Sequence, residues 1–188
     1  MTSIGEKRLQ KRFENLLKDD FDLFPEVWGK NLVYPDKEVR IDYLLFPKPH
    51  LIEAGFDPVW FGVEIKHFGK PGETGKLSRL IWQCITYVQS QFELDKKNIR
   101  PVFVLSFSDF QKMNKGNGNE YISQWLGMIR LGGLAKVGIL NELEPSAYQP
   151  IRGWSIVFSS STYFSFSKGE YHRKNYNIFN INIGNSTN

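Results

Sequence analysis

The chain predicts a mixed α/β sandwich, and three features predict it. Two apolar strands carrying embedded charges lie between residues 39 and 67. An amphipathic helix precedes them, and a longer one follows. Periods of 3.6 and 2 in the order helix, strands, helix, strand call for one sheet with helices packed on it.

Residues 3–18 read as a helix. Ser3 and Glu6 have capping-box spacing, and Leu9, Phe13, Leu16 and Leu17 recur at helical intervals. Residues 19–37 are acidic and then broken by proline and glycine, with Trp28 and Tyr34 as packing residues. Residues 39–46 and 59–67 form the two strands, separated by a long connection marked by Pro47, Pro49, Gly55 and Pro58. Residues 69–75 read as a flexible loop. Residues 76–92 are the clearest helix, through Leu77, Leu80, Ile81, Cys84, Ile85, Val88 and Phe92.

Residues 101–107 read as a buried strand, 109–119 as a Gly/Asn-rich loop, 121–131 as a helix and 136–140 as a strand. Residues 154–158 and 162–166 read as a hairpin around Ser159, Ser160 and Ser161. The tail beyond Gly169 is Asn-rich and mixes Tyr171, His172, Arg173, Lys174 and Tyr176, a solvated terminus with the composition of a single-strand binding surface.

At 188 residues the chain suits one domain with its own core. The single cysteine, Cys84, excludes an internal disulfide framework and a cysteine-based zinc cluster, and fits a reducing, cytoplasmic setting. The N-terminal charges exclude a signal-peptide core, and no apolar run approaches the roughly 20 residues of a membrane span. A net charge of +4 leans weakly toward a polyanionic partner. No phosphate-binding glycine loop and no serine–histidine–acid grouping is evident.

The chemistry sits in the two strands. In the second, Phe61, Val63 and Ile65 share one face, and Gly62, Glu64 and Lys66 the other. In the first, Arg40, Asp42 and Leu44 face opposite to Val39, Ile41 and Tyr43. With 20 acids and 16 lysines, roughly two acid-x-Lys triplets arise by chance, and two occur. The other, Asp95-Lys96-Lys97, lies in a polar stretch and reads as a solvated turn. Glu64 and Lys66 lie among Trp60, Phe61, Val63 and Ile65, where a charge is costly unless paired or bound to metal. Asp42 lies within an apolar strand twenty-two residues earlier. Two converging carboxylates repel, and a hard divalent cation relieves the repulsion through oxygen ligands, with the Ile65 carbonyl as a third. The structural alternatives are a Glu64–Lys66 pair on a half-exposed face and an Asp42–Arg40 pair.

On the helix over 76–92, Lys76, Arg79, Gln83, Tyr87 and Ser90 form one polar stripe beside the apolar face. An acid on one strand, Glu64-Ile65-Lys66 on the next, and Gln83-x-x-x-Tyr87 on the following helix together resemble the PD-(D/E)XK nuclease superfamily, with features of its RecB-like branch. The resemblance covers about residues 3–107, little more than half the chain.

It implies a restriction-endonuclease-like mixed β-sheet flanked by helices, to which residues 108–188 add a hairpin region that completes the sheet, clamps substrate or forms a homodimer. It implies hydrolysis of phosphodiester bonds in nucleic acid, DNA by the superfamily's habit, with Mg²⁺ or Mn²⁺ held by Asp42, Glu64 and the Ile65 carbonyl. Lys66 is then catalytic. Gln83, Tyr87, Lys76 and Arg79 contact the nucleic acid.

The family's proline before the first acid is absent, since the pair here is Ile41-Asp42; the literal Pro35-Asp36 reads as a turn. The family's further glutamate on the first helix has two candidates. Glu6 falls within the arc of Leu9, Phe13 and Leu17, and Glu14 lies off it. Glu6 thus belongs either to the catalytic acids or to the capping box with Ser3. His67 and His50 are weaker candidates, one facing away from Lys66 and the other in the long connection.

Overall fold

The computed structural model describes residues 4–69, 73–109, 136–147, 150–158 and 161–173, and within these the chain is α/β. Helix α1 spans Ile4–Leu17 and buries Leu9, Phe13 and Leu17, the stripe its periodicity marks. Strands β1 (Phe21–Asn31) and β2 (Glu38–Pro47) form a long hairpin, followed by a short helix α2 (Pro49–Glu53) and strand β3 (Phe61–Lys66). Helix α3 (Thr74–Val88) leads to β4 (Ser90–Leu94), β5 (Lys97–Ile99) and β6 (Val104–Ser108). Strands β7 (Val137–Leu143), β8 (Gly153–Phe158), β9 (Ser161–Ser167) and β10 (Glu170–Arg173) complete the described chain.

All ten strands join one mixed sheet in the order β10-β9-β8-β7-β6-β3-β2-β1-β4-β5. The pairs β3–β6 and β6–β7 are parallel and the others antiparallel. A parallel neighbour requires a crossover, and α3 supplies the one between β3 and β6 while packing over β3, β6 and β7. Helix α1 packs against β3 from the other face.

The core accordingly has two layers. Leu9, Phe13, Leu17, Val63, Ile65, Leu105 and a dense set of aromatic rings from β1, β8 and β9 lie on the α1 face. Leu77, Leu80, Ile81, Cys84, Ile41, Leu44 and Val104 lie on the α3 face. Adjacent residues Val104 and Leu105 fall in different layers, as strand alternation demands. Gly62 lies under the α3-face layer, where a Cβ would strike the Cδ1 of Ile41 and press on a methyl of Val104. No helix among the described residues is long and apolar enough to cross a membrane.

Several expectations need correction. Residues 19–37 are not merely a broken stretch, because they contain β1. Pro25 is tolerated there because the β4 ladder begins only at Gly29, which leaves the outer side of β1 open at Pro25. Trp28 and Tyr34 are not packing residues: they are 58% and 68% exposed. The helix predicted over 76–92 ends at Val88, so Phe92 and Ser90 belong to β4, and Ser90 is buried rather than part of a solvated stripe. Ile41 packs with Leu44, not with Tyr43. The tail forms β10 instead of a free terminus up to Arg173.

Asp95 and Lys96 turn between β4 and β5 with φ of 49° and 62°, the paired left-handed values of a tight hairpin turn, which fits the solvated-turn reading of that triplet. Pro35 and Asp36 likewise lie in a turn, closed by Lys37 N–H donating to the Tyr34 carbonyl (2.9 Å). Ser3, all of the loop expected over 109–119 except Asp109, and the helix expected over 121–131 lie outside the described residues.

Candidate functional site

Strands β2 and β3 part company at the acids. Their last paired residues are Tyr43 and Val63. Ile41 and Leu44, three positions apart, occupy the same layer, so the alternation of β2 breaks between them, at Asp42. On β1 the break is matched by Glu26, whose φ is +51°. The carboxylate takes over where the ladder stops: the Ile65 amide donates to Asp42 Oδ2 at 2.7 Å. Gly62 N–H donates to the Phe103 carbonyl on the β6 side, so the odd residues of β3 turn their peptide groups toward β2. The Ile65 carbonyl therefore opens into the same split.

Glu64 alternates with Val63 and Ile65 and so points to the α3 face. It is only 4% exposed, and its Oε2 is buried with no hydrogen-bond partner among the described residues. Its side chain bonds that of Asp42 and also accepts from the Asp42 amide. Burial first, and then the charge of Asp42, push the Glu64 carboxyl up to about 8. Asp42 is also raised, chiefly by burial and further by Glu6, against the pull of the Ile65 amide and the Lys66 ammonium. Burial and neighbouring acids thus raise both carboxyls, Glu64 the more strongly. Lys66, next but one on β3, is partly buried and acts on both.

Helix α3 floors the site. Burial and then Glu64 raise the Cys84 thiol and the Tyr87 phenol well above their ordinary values, which keeps both neutral. Gln83 bonds Tyr87, and its Oε1 is buried without a partner among the described residues. Gln83 and Tyr87 thus join the acids. Lys76 instead pairs with Glu73 at 2.9 Å, and Arg79 is exposed. Neither has a contact with the carboxylates among the described residues. Glu6, half-buried on the first turn of α1, reaches Asp42 electrostatically, whereas the exposed Glu14 accepts from Tyr43 Oη at 2.7 Å.

The donor set is all oxygen: two carboxylates, one of them with a buried oxygen left unpartnered among the described residues, and one backbone carbonyl. It fits a hard divalent cation completed by water. Among the described residues no group of three His, Cys, Asp or Glu side chains is arranged to hold an ion.

Asp109 is the residue that sequence reasoning missed. Its Oδ2 lies 2.7 Å from His67 Nδ1, and its Oδ1 accepts the Phe68 amide at 2.9 Å. The parallel register pairing Lys66 with Ser108 makes His67 and Asp109 the next neighbours, and that register is a tertiary fact.

His50 belongs elsewhere. Its Nε2 lies 3.1 Å from Asp20 Oδ1, and Asp20 also accepts from Trp154 Nε1 (2.7 Å) and Tyr171 Oη (2.5 Å). Asp57 accepts from Tyr163 Oη at 2.7 Å and pairs with Arg173 at 3.3 Å. The long connection between β2 and β3 is therefore a dock for β9 and β10.

Comparison with protein-family models, with curated proteins and with solved structures returned no match.

Proposed function

We propose that the chain is a nuclease of the PD-(D/E)XK kind, hydrolysing phosphodiester bonds in DNA with Mg²⁺ or Mn²⁺. One observation carries this reading. Glu64 is buried against Asp42 with an oxygen left over, at a strand split, with Lys66 beside both. A fold gains nothing from two facing carboxylates, and sites that bind cations and phosphate are where such pairs belong. The run of helix, antiparallel strands, helix and parallel strand supports a restriction-endonuclease-like core.

Asp42, Glu64 and the Ile65 carbonyl would hold the cation. When bound, it supplies Lewis-acid polarisation of a phosphoryl oxygen and a lowered pKa for the attacking water. Glu64, whose carboxyl is raised by burial and by Asp42, would have to give up its proton to serve as a ligand. Lys66 orients the water or stabilises the charge that develops on the phosphoryl oxygens. Gln83 and Tyr87 present neutral polar groups beside the acids, suited to holding the strand being cut. Arg79 and Lys76, further out, supply sequence-independent attraction for phosphates.

The test is a Mn²⁺ titration with single-stranded DNA, double-stranded DNA and RNA in parallel. Cleavage should require the ion and disappear in Asp42→Ala and Lys66→Ala. Cutting that survives both substitutions would reject the site. A salt-sensitive mobility shift with no cleavage under any divalent ion would favour a binding module without turnover, and cleavage of RNA alone would change the polymer.

A further inference from the structure

At the β5 end of the sheet, the α1 side is bare. Val27, Ile41, Phe92 and Ile99 turn into the α3 layer, so their strand neighbours face the other way. Helix α1 packs mainly on β3, and Trp28, Lys30, Glu38, Glu93 and Asn98 are all exposed. Two cross-strand rows make up this surface. Lys30 lies between Glu38 on β2 and Gln91 on β4. Trp28 lies beside Arg40 on β2, and on its other side the register continues to Glu93 and then Asn98. The rows line a cleft of about 490 Å³, in which Trp28 is the largest side chain. Clefts of about 300–1,000 Å³ are the size that takes organic ligands. The Arg40 guanidinium lies over the Trp28 ring, 5.7 Å from its centre, and is not part of the cleft wall. The indole is therefore braced from the β2 side and open on the other.

The charges of the cleft select its occupant. Glu38 and Glu93 flank Lys30 and repel a phosphate. The amides of Gln91 and Asn98 donate and accept, and the carboxylates accept, so together they suit the polar edge of a neutral ring. A nucleobase has such an edge and a π face for the indole. The cleft also adjoins the acids. Arg40 is two residues from Asp42 along β2, roughly 7 Å at the rise of a strand. The pairs Pro25–Tyr43 and Val27–Ile41 set Glu26 across from Asp42, and Glu26 Oε1 lies 3.3 Å from Arg40 Nη1. Asp42, Glu26, Arg40 and Trp28 are thus successive neighbours.

We propose that this cleft is a base subsite, in which an unpaired nucleobase next to the cut phosphodiester stacks on Trp28 with its edge toward Gln91 and Asn98. The proposal rests on the nuclease reading and deepens it by naming the substrate as nucleic acid with unpaired bases. Bases stacked inside a duplex offer the indole no free face. Trp28 is a binding residue and touches no reacting atom.

The experiment measures binding of the full chain to fluorescein-labelled oligothymidylate by anisotropy, with chelator present so that no strand is cut. Thermal unfolding of each variant is recorded alongside. Trp28→Ala should weaken binding by about 5- to 150-fold, the loss of one base–aromatic stack. Trp28→Phe keeps a ring and should retain most of the affinity. A strand of the same length made of abasic sites should bind the wild type and Trp28→Ala alike, and so should a blunt duplex. Trp82→Ala removes an exposed tryptophan of α3 that lies outside the cleft, and it should leave binding unchanged. Should Trp28→Ala fail to fold, Trp28→Leu, apolar but without a ring, carries the test.

Unchanged oligothymidylate affinity in a folded chain without the Trp28 ring overturns the proposal. So does an equal loss on the abasic strand, an equal loss from Trp82→Ala, or a wild-type chain that does not bind oligothymidylate. The expected binding pattern in a chain that never cleaves with Mn²⁺ upholds the subsite and rejects the nuclease reading, so the two fail separately.

Discussion

Asp20 and Glu64 are both buried carboxylates, 7% and 4% exposed, yet their surroundings are opposite. Asp20 receives the Trp154 indole, the Tyr171 hydroxyl and the His50 ring, so each of its oxygens is partnered. Glu64 faces another acid and keeps Oε2 unpartnered among the described residues. The first arrangement is how a fold uses a buried acid: as an acceptor that collects donors from distant parts of the chain. The second makes sense only if something else is to enter, because two facing buried carboxyls with one oxygen left unpartnered oppose folding. Burial alone therefore does not identify a functional acid here. The state of its hydrogen bonds does.

The sharpest way to break this contrast is to remove Asp20. Asp20→Ala leaves an indole N–H and a phenol without acceptors and frees β10 from the α1–β1 junction. Stability should fall by about 3–5 kcal/mol, on the order of 10 °C in unfolding temperature. Calorimetry measures it, and a loss under about 1 kcal/mol would show that the three bonds contribute little net stability. Metal-dependent cleavage by the molecules that remain folded should be unaffected.

The counterpart on the other acid's strand is Lys66→Ala. It should reduce Mn²⁺-dependent cleavage by roughly 10²- to 10³-fold, the usual effect of deleting a group that stabilises transition-state charge. The unfolding temperature should barely move, because Lys66 is partly exposed and forms no ion pair within salt-bridge distance among the described residues. An equal loss of stability and activity would reduce it to a structural cation.

Much of this was legible in the sequence, and the illegible parts have identifiable causes. Helix α1 and most of α3 follow their periodicities because each buries one regular face, while strands β2 and β3 and the β8–β9 hairpin were legible as apolar runs. Strand β1 hides behind Pro25 and Gly29, which look like breakers. Pro25 lies where the outer edge is open, and Gly29 where Gln91 and Phe92 of β4 press on the backbone. The end of α3 is hidden because Val88 and Phe92 keep helical spacing and no glycine or proline marks the turn between them.

At the site, the order Asp42, Glu64, Lys66, Gln83 and Tyr87 was readable because strand and helix periods place them. The break in alternation at Asp42 was not, because it depends on Glu26 across the hairpin. Asp109 needed the parallel register of β6. Lys76 and Arg79 share a helix with Gln83, yet helical spacing could not show that a nearby Glu73 would claim Lys76.

The finest discrimination between the two acids comes from Glu64→Gln, which keeps shape and removes ionisation. The folded chain holds the Glu64 proton up to about pH 8, whereas an ordinary carboxyl loses it near 4.5. Between those values the folded state binds a proton that the unfolded state has released, so this group lowers stability as pH rises through the window. The cost is absent below pH 4.5 and complete above about 8.

Each pH unit between the two values corresponds to about 1.4 kcal/mol, and relaxation of the site reduces the sum, so about 1–3 kcal/mol is expected at pH 9. In chelator-treated buffer Glu64→Gln should match the wild type at pH 4 and exceed its stability at pH 9, since the amide donates to ionised Asp42 where the carboxylate repels it. Added Mn²⁺ should then reverse the ranking at pH 9 by stabilising the wild type alone, because a ligand that binds the folded state shifts unfolding by mass action. A Gln variant less stable than the wild type at every pH would mean that Glu64 is partnered as fully as Asp20, and the reason for placing a cation beside it would be gone.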